Sequence, residues 1–290
     1  MKKKYEIVKD MTKTIKDEYG KEIILHKIRA LVDIYVFGHL DVHKGDLGGW
    51  IENEINLSQD GKCWIYSDAM VYGKAKVCDD VRIYGTAAVY DNARIISRAK
   101  VNDNAKVYGS AIIHGNAMVN DNAKVYGSAM VSGGSRIGGN AKIYDMAEIS
   151  DNAKIRDNAK VYGKTLICDN AIVCNNVEVY DKARVQGNAR IYDNSRICGN
   201  AIVDDNTKIS IDAIINSNED YTTIRGFGTK QRHTTFYRCT NNIIRVNCGC
   251  FNGTINEFKE QVKNTREGKI AREYLEIADL MERHFNESEE

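Results

Sequence analysis

From Ile65 to Ile215 every sixth residue is valine or isoleucine, 26 positions without an insertion or a slip. Two residues before nearly all of them stands a small side chain, most often alanine, as at Ala69, Ala75, Ala105, Ala123, Ala141, Ala159 and Ala201. Two residues after each comes mostly glycine or aspartate, then often asparagine. Residues two apart on an extended chain point to one side, so a hexad sends one aliphatic and, in most cases, one small side chain inward. Glycine or aspartate followed by asparagine is turn chemistry that tolerates positive φ. A strand and a turn every six residues predicts a triangular coil, three hexads to a turn, filled by Val, Ile and Ala. That makes eight to nine coils, and at about 4.8 Å each the prism is roughly 40 Å long. Proline is absent from all 290 residues, where ordinary usage would supply roughly 14. A residue without a backbone N–H has no place in a chain whose peptide groups are nearly all paired.

Runs such as Ala105-Lys106-Val107-Tyr108-Gly109-Ser110 resemble the hexapeptide repeat of left-handed β-helix proteins, the fold of many trimeric acyltransferases. Left-handedness is implied by that resemblance; the general rule for parallel crossovers would give a right-handed coil. The segment Gly45-Asp46-Leu47-Gly48-Gly49-Trp50-Ile51-Glu52, with Asn56-Leu57-Ser58 and Cys63-Trp64-Ile65-Tyr66, is similar to the start of the YdcK group of bacterial proteins, which is acyltransferase-like and of unestablished role. The tail, with Thr235-Phe236-Tyr237-Arg238 and Cys248-Gly249-Cys250-Phe251-Asn252-Gly253-Thr254, resembles a module of phage and prophage proteins. The expected fold is an all-β solenoid, a left-handed parallel β-helix of eight to nine triangular coils with a small α+β C-terminal module.

A coil exposes an unpaired ladder at each end and needs caps. Residues 1–62 read as the N-terminal cap, with strand patterns at Tyr5–Val8 and Glu22–His26. Residues 63–216 are the coil and 217–290 the C-terminal module. There, strand patterns at Thr234–Arg238 and Ile243–Val246 precede Thr254-Ile255-Asn256-Glu257, a capping box that opens a helix. Phe258, Val262, Ile270, Tyr274, Ile277 and Leu280 then keep helical spacing.

Residues eighteen apart stack on one wall, so outward side chains form columns. One wall carries Tyr72, Tyr90, Tyr108, Tyr126, Tyr144, Tyr162 and Tyr180, then Cys198, beside Lys106, Lys124, Lys142 and Lys160. The other walls are mixed at that position, with Tyr66, Tyr84, Asn102, Asn120, Gly138 and Arg156 on one. The other has Cys78, Ile96, His114, Ser132 and Ser150. A turn column reads Asn104, Asn122, Asn140, Asn158, Asn176 and Asn194. Like side chains at this spacing stack and hydrogen-bond, which stabilises a coil without any ligand, and this is the reading for asparagine. For tyrosine a second reading stands beside it: seven rings make a large aromatic patch, and tyrosine is favoured at binding surfaces.

Charge is balanced, 41 basic against 40 acidic residues, so net charge announces no nucleic-acid or membrane partner. No stretch reaches the roughly 18 apolar residues of a membrane span, and the lysines near the start precede no apolar core of a signal peptide. Of eight cysteines, Cys78, Cys168, Cys174 and Cys198 share the outward repeat position, too far apart on their walls to pair. Both features point to a reducing, cytoplasmic setting. Cys239, Cys248 and Cys250 are close in sequence but lack the paired spacing of zinc sites, so neither metal nor cofactor is expected. One local imbalance exists. Between Tyr221 and Ile255 there is no acidic residue, while Arg225, Lys230, Arg232, Arg238 and Arg245 interleave with Phe227, Phe236, Tyr237 and Phe251. Such a pattern suits an anion, nucleotide or nucleic-acid site, or else ordinary surface arginines balanced by the acidic helices that follow.

An acyltransferase of this fold needs a general base, usually histidine, and a loop that leaves the coil to shape its pocket. No loop interrupts the hexads, and within them His114 stands alone; His26, His39, His43, His233 and His284 lie outside. Fold does not carry activity with it. The expectation is a non-catalytic interaction protein with a protein partner or a self-association, trimeric by analogy, and, from the tail resemblance, a phage or prophage accessory engaging a host macromolecule such as a defence component. A hexapeptide-type acyltransferase with an intersubunit site is the alternative.

Overall fold

A computed structural model describes residues 3–17, 19–36, 38–228 and 231–286. It divides into two compact units, Met1–Asn158 and Ala159–Glu290. In both, the hexads fold as a parallel β-solenoid. Each hexad contributes a two-residue strand, from Trp64–Ile65 to Lys154–Ile155 in the first unit and from Lys160–Val161 to Ile214–Ile215 in the second. Within each unit, strands pair in register with those eighteen residues away, as Lys106↔Lys124 with Val107↔Val125 in the first, and Glu178↔Arg196 with Val179↔Ile197 in the second. The ladder has one rule throughout: Lys106 N donates to Ala123 O at 2.9 Å and Tyr108 N to Val125 O at 3.0 Å.

The interior is the predicted stack. Val71, Val89, Val107, Val125 and Ile143 are fully buried, as are Ala69, Ala87, Ala105, Ala123 and Ala141. Burying one such aliphatic side chain contributes roughly 1.5–3 kcal/mol. Turn chemistry is equally regular. Asp91, Asp103, Asp121 and Asp145 adopt φ between 56° and 58°. Their carboxylates reach the next coil, where Asp91 accepts from Gly109 N at 3.0 Å and Asp121 from Gly139 N at 2.7 Å. The asparagine column is a hydrogen-bonded ladder: Asn104 Nδ2 donates to Asn122 Oδ1 at 3.2 Å, Asn122 to Asn140 at 3.3 Å and Asn140 to Asn158 at 3.0 Å.

The first unit begins with β1 (Tyr5–Lys16) and β2 (Glu22–Ala30), an antiparallel pair. A short hairpin follows, β3 (Ile34–Val36) and β4 (His39–Val42), and then β5 (Leu47–Ile51). β5 is antiparallel to β2 on one side and parallel to Met70–Val71 on the other, so it converts an antiparallel sheet into the first wall of the coil. Gly49 permits that approach: a Cβ there would stand 2.3 Å from Ile65 Cγ2 and 2.6 Å from Ala69 O. Buried Lys4 satisfies carbonyls at the coil's open edge, donating to Asp60 O at 3.2 Å and lying 3.2 Å from Cys63 Sγ.

In the second unit a four-stranded antiparallel sheet, Tyr221–Phe227, Arg232–Arg238, Ile244–Cys248 and Phe251–Thr254, meets the last rungs. Its outer strands, Tyr221–Phe227 and Phe251–Thr254, lie beyond the two strand patterns read from the sequence. One face packs Phe236, Ile244 and Val246 under α1 (Ile255–Thr265) and α2 (Gly268–Asn286). The other is polar where it meets the coil: Tyr237 Oη lies 3.2 Å from Ser210 Oγ, Asn252 Nδ2 donates to Ser210 at 2.9 Å, and Asn247 Nδ2 to Tyr192 Oη at 3.1 Å. Thr254 caps α1 in the expected capping box with Glu257. No helix among the described residues is long and apolar enough to cross a membrane.

Candidate interaction surface

Parallel coils bring identical positions to strand spacing, and in the first unit this produces a continuous aromatic column. The rings of Tyr72, Tyr90, Tyr108, Tyr126 and Tyr144 follow one another at centroid distances of 4.9–5.0 Å and within 6° of parallel. Each tyrosine is half-buried, because its neighbours cover its ring faces; the column is less exposed than sequence position alone suggests. Lys106, Lys124 and Lys142 stand in register on the same sheet, cation beside cation. Long stems can lie along apolar neighbours while their ammonium groups stay in water.

The second unit differs. Tyr162 and Tyr180 stack at 5.2 Å, and then Cys198 takes the position. Here the neighbouring column alternates in sign: Lys160 bonds Glu178 at 2.8 Å, and Arg196 follows Glu178 in register. The unbroken lysine column is therefore a property of the first unit.

The basic residues of the tail do not share a face. Register pairs Tyr237 with Arg245 and Arg238 with Ile244, and adjacent residues of a strand point oppositely. Arg238 and Arg245 are thus on opposite sides of the sheet. Arg238 is engaged within the unit, 3.4 Å from Asp220, donating to Phe285 O at 2.8 Å and lying over the Phe285 ring. Arg225 and Arg232 are exposed, and Lys230 lies outside the described residues. His114 is half-buried on a different wall.

One cluster escaped the sequence. The β3–β4 hairpin lies against the wall formed by Trp64–Ile65, Arg82–Ile83 and Lys100–Val101, and a cavity of about 400 Å³ opens there, lined by Asp41, Arg82, Tyr84, Lys100 and others. Asp41 accepts from Arg82 Nε at 3.0 Å and from the Tyr66 hydroxyl. Burial and then the Asp41 contact push the Tyr66 phenol up. Arginines at the same rung position elsewhere, Arg94, Arg136 and Arg190, are exposed; Arg82 is 4% exposed. Nothing in the hexad pattern separates Arg82 from them, and the only sequence signal is the chain length before the repeat that supplies a hairpin.

No family model matches the chain. A stretch of 67 residues is 37% identical to the uncharacterized acetyltransferase YdcK of Escherichia coli strain K12, covering 23% of this chain. It covers 19% of YdcK, less than a fifth of that protein's length. Together with the solenoid, this short likeness fits a hexapeptide-repeat protein.

Proposed function

We propose that the chain is a non-catalytic interaction protein whose tyrosine and lysine columns in the first unit dock a protein, either a second copy of itself or a partner. The observation that carries this is the five-ring column beside three unpaired-in-sign lysines. Stacked rings form a stiff apolar strip at little entropic expense, and a lysine rim adds a polar margin of the kind found around binding surfaces. If the contact is between copies, a trimer is the expected assembly, by analogy with hexapeptide-repeat relatives. The tail's resemblance to phage modules points a foreign partner toward a host macromolecule, with the cytoplasm as the meeting place. Arginines set on both faces of the tail sheet make a nucleic-acid track the weaker reading for that module.

The test is the double variant Tyr108→Ser, Tyr126→Ser, which leaves the coil interior untouched. It should fold, but shift to a smaller species by light scattering or lose the proteins that wild type captures from a bacterial lysate. A wild-type monomer without captured partner, or a variant that keeps the parent's mass and partners, refutes the docking role. The likeness to YdcK favours a second reading, acyl transfer. Saturable micromolar binding of acetyl-coenzyme A in a calorimetric titration would promote it over the first.

A further inference from the structure

We propose that the cavity under the β3–β4 hairpin is a binding site for a phosphate group, carried by a small phosphorylated molecule or by free phosphate. The proposal is independent of the docking role of the tyrosine wall. Three observations carry it. First, Arg82 is almost entirely buried, yet its Nη2 has no hydrogen-bond partner. Asp41 takes Nε at 3.0 Å, and Nη1 is shared among the carbonyls of Lys62, Val81 and Asp80. A guanidinium presents its donors in a fixed fork suited to a second oxyanion oxygen, and one prong is unused.

Second, the charges do not balance. The cavity is lined by Lys62, Arg82, Arg98 and Lys100 against Asp41 and Asp80. Both carboxylates are engaged, Asp41 with Arg82 and Asp80 with Arg98 at 4.0 Å. Among the described residues no carboxylate lies within ion-pairing distance of Lys62 or Lys100, so two positive charges are left over. A phosphate monoester brings about −1.5 to −2 at neutral pH, whereas a carboxylate brings one charge and two oxygens. Third, the site is roomy for an ion alone. At about 400 Å³, with Tyr84 and Met118 in its wall, it has space and apolar surface for an organic group beside the phosphate.

The experiment is calorimetric titration of the full chain with inorganic phosphate, phenyl phosphate and acetate. Saturable binding of one phosphate per chain is expected, weakened at least tenfold in Lys100→Met and in Lys62→Met, and unchanged in Lys154→Met, an exposed lysine outside the cavity and outside the tyrosine wall. Both cavity lysines are exposed, so these variants should fold, which circular dichroism checks. Arg82→Lys keeps the charge but loses the fork, and should weaken binding further if it folds. Tighter binding of phenyl phosphate assigns the site to a phosphorylated compound, and equal binding assigns it to free phosphate. No saturable binding by the wild type, acetate bound as tightly as phosphate, or lysine variants that bind like the parent would each overturn the proposal.

Discussion

The rings of Tyr108 and Tyr126 lie 4.9 Å apart and 2° from parallel, directly above the pairing of Val107 with Val125 in the coil interior. The outward aromatic column and the inward aliphatic stack are thus two faces of the same rungs. Substitution separates their contributions. Tyr126→Ser should lower stability in urea denaturation by about 1–3 kcal/mol, the loss of two ring contacts at about 0.5–1.5 kcal/mol each. Val125→Asp places an unpaired carboxylate in the interior and should destabilise by several kcal/mol. A variant at position 125 that melts with the parent would contradict the register.

Lysine beside lysine at strand spacing is mildly unfavourable. Lys124→Glu would give the first unit the alternation seen at Lys160 and Glu178. We expect a gain of about 0.2–1 kcal/mol at low salt, fading as salt rises toward 1 M. The same change should weaken docking if the lysine rim takes part in it.

At Asp121 two effects coincide: φ is 58°, and the carboxylate accepts from Gly139 N at 2.7 Å. Asp121→Ala loses the acceptor and keeps the unfavourable backbone, and should cost about 2 kcal/mol. Asp121→Gly relieves the backbone and should cost less. Equal melting temperatures for the two variants would show that backbone strain plays no part.

Burial pushes the Cys239 thiol up to about 12, while Cys250 is exposed. At pH 8 a disulfide reagent should modify Cys250 within minutes and reach Cys239 only on unfolding. The raised value also sets a sign. The folded state holds this proton more tightly than the unfolded chain, whose thiol has the ordinary value near 9.0. Its contribution is complete below that value and lost as pH rises toward 12. Cys239→Ala should flatten that part of the stability profile, read from urea midpoints between pH 8 and 11.

The coil was legible because its constraint is local and repeated. Val125 needs only its own hexad to be placed: Ala123 two before it, Gly127 two after, and the next strand eighteen residues on. The α1 cap was legible for a similar reason, since Thr254 and Glu257 meet within one turn. The outer strands of the tail sheet were not, because Tyr221–Phe227 and Phe251–Thr254 have little alternation of their own and are strands through pairing with Arg232–Arg238 and Ile244–Cys248.

By itself, the sequence determined the hexad register, the interior of Val, Ile and Ala, and the tyrosine, lysine and asparagine columns, since a period of six leaves each residue one direction to point. Tertiary structure alone decided what surrounds a given outward residue. Arg82 and Arg94 occupy equivalent rung positions, yet one is buried beneath a hairpin whose Asp41 is 41 residues away and the other is exposed. A repeat specifies direction through backbone geometry; burial and charge balance depend on segments outside the repeat, and no local pattern records where those segments pack.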